Sequence, residues 1–334
     1  MRLFLKNYID NNCVSISRVA SDYGINNNTL EKQYKHHLSN FNTWEQKEHA
    51  SDYILFPNNI GTHMSIDETS LSNGELYTII TNKAAKGRKG AIFAMIKGTK
   101  SETICTILEK IPKRIRYMCK EITLDFANNM SSIVKRCFPC AKEVNDRFHL
   151  HKLVYDAVQE MRIKYRWEAL DAENKAIKKA KEEKKKYEPE RFENGDTLKQ
   201  LLARGRYALY KSPNKWSKSQ KERAHLMFKL YPDLKKAYLL SMQLKNVFSA
   251  KSKEGAYLKL ARWYNDVEIA NFESFNTCAN TIMNHYETIL NYFDNRSTNA
   301  SAESFNAKIK SFRASFRGVS DITFFLYRLS TIFG

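Results

Sequence analysis

The chain has 334 residues, of which 43% are apolar, so it is long enough to bury a sizeable core and is not a disordered tail. Its 55 lysines and arginines exceed its 36 acidic residues and give a net charge of +19, which favours a polyanionic partner, first of all nucleic acid. The sequence contains no apolar span of about 20 residues, secretory signal or lipidation motif, so we expect a soluble, intracellular protein without a membrane partner. Six irregularly spaced cysteines are typical of a reducing compartment and require no disulfide.

Residues 1–50 have the pattern of short helices, and VSISRVASDYGINNNTLEKQYKHHL within them is typical of a helix-turn-helix. Ala20 is small enough for two helices to cross closely, Gly24 permits the turn, and Leu30 anchors the second helix. The candidate DNA contacts on the outer side of that helix are Asn28, Lys32 and Lys35, with Asn27, Thr29 and Gln33 beside them.

An alternative for this N-terminal segment is a helical hairpin that only packs on the next domain. Residues 1–50 carry six bases and five acids, so the segment is barely basic. Both interpretations stay open.

From about residue 57 the pattern changes to strands, namely HMSIDETS, GELYTIITN and GAIFAMIKG, with the turn-forming KAAKGRKG between the last two. Three successive strands of this kind predict antiparallel pairing. A helix over residues 102–110, a strand EITLDF, a helix opening at Ala127, a short strand near KEVND and a helix from His149 follow. The alternation predicts an α/β fold, with a mixed sheet flanked by helices on both faces.

Residues 161–292 have helical patterns almost throughout and predict a large all-α insertion. The predicted domains are therefore a helix-turn-helix at 1–50, the first part of the core at 57–160, the insertion at 161–292 and the C-terminal core helices at 293–334. The basic run KKAKEEKKKYEPER in the insertion either clamps DNA or forms a solvated helix with Glu–Lys pairs.

Two aspartates interrupt apolar strands: Asp67 in SIDETS and Asp125 in TLDFANN. A carboxylate at the edge of a hydrophobic sheet is costly unless it is paired or binds a cation. If the two strands are adjacent and parallel, the acids face each other across about 5 Å, which suits a divalent metal. Either aspartate taken alone is equally explained as a turn former or a helix cap.

A third acid, Glu303, lies in the helical stretch STNASAESFNAKIKSFRASFRG. Roughly the same helical face carries Asn306, Lys310, Arg313 and Arg317, which follow it by three, seven, ten and fourteen positions. An acid on a basic, amide-bearing face suits phosphodiester chemistry, because the acid completes a metal site while the cations hold the DNA backbone. The alternative is an ordinary solvated stripe with an exposed glutamate.

The motifs SIDETS, TLDFANNM, VNDRFHLHKLV and NASAESFNAKIK, in this order, resemble those of the DDE transposases of bacterial insertion sequences, most of all the ISL-type group. The resemblance extends from about residue 64 to the end of the sequence. It implies a ribonuclease H-like core in which Asp67, Asp125 and Glu303 bind two Mg²⁺ or Mn²⁺ ions. Glu303 follows Asp125 by 303 − 125 = 178 positions, consistent with an insertion inside the catalytic core.

The same resemblance implies the reaction and the partners. The expected activity is metal-dependent cleavage at the transposon ends followed by strand transfer of the 3′-OH into target DNA. The expected partners are the terminal inverted repeats and the target DNA, bound by a homodimer or higher oligomer at the nucleoid of a bacterial cytoplasm. The alternatives are a ribonuclease H-like nuclease or resolvase that cuts without joining, and a non-catalytic helix-turn-helix regulator.

The DRFH segment of the family falls on Asp146, Arg147, Phe148 and His149. The resemblance places Asp146, His149 and Asn306 beside the active site, although a histidine at a helix start also serves as a cap or packing group. Lys310 corresponds to the lysine of the family that contacts transposon-end DNA, and Arg313 and Arg317 are further candidate DNA contacts. Members of the group commonly carry an N-terminal zinc module, but this chain has only Cys13 before residue 105, so end recognition is assigned to the helix-turn-helix.

One further metal pattern is Cys137-x-x-Cys140 with His149 and His151 nearby, which could supply four zinc ligands. The other interpretation is that the two cysteines are small core residues on the approach to a strand.

Overall fold

The structure is a computed structural model that describes residues 2–72, 74–316, 319 and 321–334. The chain divides into two compact units, one formed by Met1–Asp146 with Asn295–Gly334 and the other by Arg147–Asp294. Among the described residues, no helix is both long enough and apolar enough to span a membrane.

A six-stranded mixed sheet forms the centre of the first unit. Its strands are β1 (Tyr53–Leu55), β2 (His63–Ser72), β3 (Glu75–Asn82), β4 (Ile92–Lys97), β5 (Glu121–Leu124) and β6 (Lys142–Asn145). The spatial order is β1-β4-β3-β2-β5-β6, in which β2, β3 and β4 pair antiparallel while β5 and β6 run parallel to β2. Apart from β1, this is the arrangement of a ribonuclease H-like core, and the predicted antiparallel trio is confirmed. The edge strand β1 escaped prediction because three residues are too few to show an alternating pattern.

Helices make up the rest of the first unit and the whole framework of the second. Before the insertion they are α1 (Arg2–Asn11), α2 (Ile16–Asp22), α3 (Asn27–Gln33), α4 (Ser101–Leu108), α5 (Lys113–Arg116) and α6 (Asn128–Cys137). The second unit contains α7 (Arg147–Glu182), α8 (Leu198–Leu209), α9 (Lys218–Leu230), α10 (Pro232–Val247), α11 (Lys253–Ala270), α12 (Glu273–Leu290) and α13 (Tyr292–Asn295), whose last residue begins the return to the first unit. The chain ends with α14 (Ala300–Ser315) and α15 (Ile322–Phe333).

Each face of the sheet is covered by its own helices, as predicted. On one face, Met64 and Ile66 of β2 and Ile122 of β5 join a buried cluster with residues of α4 and α6. On the other face, Ile79 and Ile92 pack with residues of α14 and α15. Because strand side chains alternate between faces, the odd-numbered side chains of β2, including Asp67, point to the face that α14 covers.

The N-terminal helices have the predicted positions. Ser15 caps α2, and Asn26 caps α3 by accepting a hydrogen bond from the Thr29 amide. Gly24 makes the turn between these helices with a φ of +64°, a backbone conformation that glycine adopts without steric cost. Ala20 and Leu30 are buried in a small core that also includes Phe324 of α15.

The second unit is entirely helical over its described residues and interrupts the core, as the sequence predicts. The predicted domain boundary at residue 161 lies inside α7, which is one continuous helix of 36 residues, so the compact units divide at the start of that helix. The basic run is almost wholly exposed, but α7 ends at Glu182, so only the first residues of the run are helical. The interpretation as a solvated helix therefore holds only for the start of the run, and DNA clamping stays a prediction.

Candidate active site

Asp67 and Asp125 lie at the same level on neighbouring parallel strands. The last aligned pair between β2 and β5 is Ser65 with Thr123, and each aspartate lies two residues beyond its member of that pair. A separation of two residues returns to the same face of the sheet, and adjacent strands lie about 4.8 Å apart. The condition under which the two acids face each other, adjacent and parallel strands, is therefore met.

A third aspartate extends this row to the next strand. Leu124 of β5 aligns with Asn145 of β6, so the residues that follow, Asp125 and Asp146, are also level with each other. Asp146 is 2% exposed, whereas Asp67 and Asp125 are half-buried. Three neighbouring parallel strands thus place three acids level on one face of the sheet, Asp67 within β2 and the other two directly after β5 and β6.

Helix α14 brings the fourth acid to this row. Its residue Asn306 is 8% exposed and donates a hydrogen bond from Nδ2 to Oδ2 of Asp67 over 2.7 Å. Glu303 precedes Asn306 by three residues and therefore lies on the same side of the helix, about one turn away. Oxygens of Glu303 and Asp146 lie within 4.8 Å of each other, so α14 brings its acid next to the acid that follows β6.

Backbone amides hold the three aspartates. Asp67 Oδ1 accepts from the amide of Glu68 over 2.8 Å, and Asp125 Oδ1 accepts from the amide of Ala127 over 2.8 Å, just before α6 begins. Asp146 Oδ1 accepts from the amide of Asn299 over 3.3 Å, at the residue that precedes α14. Asp125 and Asp146 are therefore oriented by the turns that begin α6 and α14, and Asp67 by the backbone of its own strand.

Glu68 adds negative charge next to the cluster. Burial raises the pKa of its carboxyl, and the nearby charges of Asp125 and Asp67 raise it further, while a hydrogen bond from Asn129 opposes the shift. Repulsion of this kind is what a bound cation would relieve. Sequence reasoning passed over Glu68, although it stands directly beside Asp67.

The side chains of the four acids are suitable ligands for Mg²⁺ or Mn²⁺. Asp67, Asp125, Asp146 and Glu303 all offer carboxylate oxygens, the hard ligands that these ions prefer. Within the described part of the chain, Oδ2 of Asp146 is buried without a hydrogen-bond partner, as an oxygen reserved for a cation would be.

A partly buried lysine, Lys83, lies on the same face as the acids, closer to the start of β5. The ammonium of Lys83 donates a hydrogen bond to Thr123 and lies 3.9 Å from Oε1 of Glu121. Burial lowers the pKa of Lys83 to about 8, against the opposing effect of Glu121 and Asp146. Asn295 donates to the other oxygen of Glu121 over 2.9 Å. Sequence reasoning missed Lys83 because it begins the stretch that was assigned only a turn.

The remaining residues of the DRFH segment belong to α7 in the second unit. Arg147 donates to the hydroxyl of Tyr292 over 3.2 Å, Phe148 is 55% exposed, and His149 is half-buried with its ring edge-on to Phe148. The role predicted for His149 stays a prediction.

The predicted DNA contacts on α14 differ in their surroundings. Lys310 is exposed, whereas Arg313 donates to the carbonyl of Ser70 over 3.3 Å and so also ties α14 to β2. Arg317 lies outside the described residues.

The candidate contacts on α3 and just after it differ in the same way. Asn28 and Lys32 are exposed, but Lys35 forms an ion pair with Asp321 over 2.6 Å. Its ammonium also lies 5.3 Å from the ring centre of Phe324. The ammonium of Lys35 is therefore already paired with a carboxylate of the protein itself.

The cysteine pair is divided between core and surface. Cys137 is buried and its pKa is raised to about 12 by burial and by a hydrogen bond with Cys105, while Cys140 is exposed. Over the residues that the structure describes, neither belongs to a group of three or more potential metal ligands. The environment of Cys137 favours the interpretation as a core residue.

Comparison with curated proteins gives no match. The model of a transposase family matches residues 64–329, a region that contains Asp67, Asp125, Asp146 and Glu303. This match covers most of the chain, which therefore belongs to the DDE transposases of the ISL3 type.

Proposed function

We propose that this transposase cleaves DNA at the transposon ends and transfers the freed 3′-OH into target DNA, with Asp67, Asp125 and Glu303 as ligands of two divalent metal ions. The observation that supports it best is that three distant chain segments bring these acids to the same face of the sheet. Asp67 and Asp125 are level on parallel strands, and the hydrogen bond from Asn306 to Asp67 sets Glu303 on the turn above them.

When bound, Mg²⁺ or Mn²⁺ ions would supply the positive charge that stabilises the attacking and departing oxygens of an in-line phosphoryl transfer. The protein's own contribution is to keep the acids in place before DNA arrives. Amides at the starts of α6 and α14 orient Asp125 and Asp146, and Asn306 occupies one oxygen of Asp67, which leaves a restricted set of oxygens for the metals.

The exposed Lys310 lies on the helix of Glu303, seven residues further on, and is suited to hold the DNA backbone beside the cluster. The exposed Asn28 and Lys32 on α3 would contact the transposon end, with Lys35 contributing if DNA displaces Asp321. The family and the net charge of +19 both support DNA as the substrate.

The test replaces each acid separately, as Asp67→Ala, Asp125→Asn and Glu303→Gln. We expect Mg²⁺-dependent cleavage and strand transfer to fall by a factor on the order of 10³ or more, about 4 kcal/mol in the barrier, because the metal ligands are lost. Binding of end DNA should be largely kept. The measurement is the cleavage and joining of labelled end DNA, and Asp52→Asn, at an exposed acid of the same unit, is the matched control.

Retained cleavage in any of the three variants would refute the assignment of that acid. Strand transfer on pre-nicked ends separates this function from its alternatives. Cleavage without joining of pre-nicked ends would indicate a nuclease or resolvase, and metal-independent binding without any cleavage would indicate a regulator.

A further inference from the structure

We propose that Asp146 is a fourth carboxylate ligand of the divalent metal site, contributed by β6 in addition to the three acids of the family's name. This inference rests on the proposed function, because it assigns one more residue to the same metal site. It extends the site by one strand of the sheet.

Asp146 occupies the position of a metal ligand in the row of acids. Asp146 follows Asn145, which aligns with Leu124, just as Asp125 follows Leu124 itself. Asp146 therefore stands to Asp125 as Asp125 stands to Asp67, one strand further along the same edge and on the same face. An oxygen of its carboxylate lies within 4.8 Å of one of Glu303, a distance that one cation or a pair of cations can bridge.

The two carboxylate oxygens of Asp146 differ in their hydrogen bonding. Oδ1 accepts the amide of Asn299, so this oxygen has a structural task at the start of α14. Oδ2 is buried, and no donor among the described residues reaches it. A carboxylate oxygen that is removed from water and left without a donor is costly, and a cation on the open side of the cluster would remove that cost.

Charge also favours a cation at Asp146. The ammonium of the partly buried Lys83 acts on Asp146, but its hydrogen bond and ion pair are with Thr123 and Glu121. One ammonium therefore serves two buried carboxylates, and Glu121 is the nearer of them. A divalent ion would add positive charge beside Asp146 and the neighbouring acids, which favours its binding there.

The two oxygens allow a test that separates a metal ligand from a structural cap. In Asp146→Asn the side-chain oxygen can still accept the amide of Asn299, but the negative charge is lost. The control is Glu143→Gln, also on β6, whose side chain faces α6 and accepts a hydrogen bond from Ser131 over 2.7 Å. Mn²⁺ binding to the full chain is measured by isothermal titration calorimetry, and folding by circular dichroism.

We expect Asp146→Asn to weaken Mn²⁺ binding by about tenfold or more while the melting temperature stays near that of the wild type. Glu143→Gln should bind Mn²⁺ as the wild type does. Unchanged Mn²⁺ affinity in Asp146→Asn would overturn the inference and leave Asp146 as a cap of α14.

A second variant covers the case in which Asp146→Asn does not fold. Asp146→Cys should bind Cd²⁺ about tenfold tighter and Mg²⁺ more weakly than the wild type, because a thiolate is a soft ligand. Cd²⁺ binding no tighter than that of the wild type would contradict a ligand at this position. Parallel titrations of Asp67→Asn and Asp125→Asn separate an error about Asp146 from an error about the whole metal site. If these variants also bind Mn²⁺ as the wild type does, the proposed metal site itself is wrong.

Discussion

At the scale of single residues, His151 shows how surroundings decide the role of a side chain that the sequence leaves ambiguous. Its ring stands edge-on to Phe248, with ring centres 5.2 Å apart, and its Nε2 atom is buried without a donor or acceptor among the described residues. Burial, assisted by the charges of Lys245 and Arg147, lowers the pKa of His151 to about 4. The imidazole is therefore neutral at pH 7 and acts as a packing group of the second unit.

This shift predicts a pH dependence of stability. The unfolded chain takes up a proton on His151 below about pH 6.5, whereas the folded chain does so only near pH 4. The stabilising contribution is thus complete above pH 6.5 and is lost as the pH falls toward 4. Between pH 7 and pH 4.5 we expect the unfolding free energy of the wild type to fall about 2 kcal/mol more than that of His151→Gln, measured by urea unfolding.

The control for this experiment is His225→Gln, at an exposed histidine of the same unit. Its pH dependence should follow that of the wild type. Parallel curves for the wild type and His151→Gln would show that burial of His151 has no such effect.

At the scale of elements, the turns before several helices position functional or capping side chains. The turns before α6 and α14 hold Asp125 and Asp146, and the turn before α3 is closed by Asn26. In each case a short polar side chain accepts an amide that the helix itself leaves unpaired. The pattern explains why aspartate and asparagine occur at these junctions.

The cap of α3 yields a prediction about the N-terminal helices. Asn26→Ala removes the acceptor of the Thr29 amide, which lies 3.1 Å from Asn26 Oδ1, and should lower the unfolding free energy by about 1 kcal/mol. In a protein of this size such a loss lowers the melting temperature by roughly 2–4 °C, which circular dichroism can measure. Asn27→Ala, one position later on the exposed side of the helix, should change it much less. Equal effects of both substitutions would contradict the capping role.

At the scale of the whole molecule, net charge governs the encounter with DNA. A charge of +19 makes association with a polyanion favourable before any specific contact forms. The site itself is acidic, so the basic residues must hold the DNA backbone while the carboxylates hold cations.

We therefore expect the affinity for end DNA to fall about 10³-fold between 50 and 200 mM salt, measured by fluorescence anisotropy. Lys310→Ala should reduce the slope of log affinity against log salt by about one, because one phosphate contact is lost. Lys229→Ala, at an exposed lysine of α9, is the comparison for a general loss of charge. Equal reductions of the slope in both variants would contradict a specific contact at Lys310.

Much of the fold and part of the site could be predicted because their signals are local. Alternating or continuous apolar residues mark β2 to β5, and an acid in or directly after such a strand stands out at Asp67 and Asp125 without any knowledge of tertiary contacts. Glu303 carries no such local signal, and only the family's motif order distinguished it from other exposed acids on helices. Lys83 and Glu68 were passed over, because a lysine in a turn and a glutamate beside an aspartate are ordinary in sequence.

By itself, then, the sequence determined the mixed sheet, the helical insertion, the basic character and the two strand acids, because alternation, composition and charge are properties of neighbouring residues. Only the tertiary structure decided that Asp67, Asp125 and Asp146 are level, that Asn306 meets Asp67 across 239 positions, and that Lys83 lies partly buried near the acids. Those relations depend on strand register and helix docking, which are set by packing of the whole core.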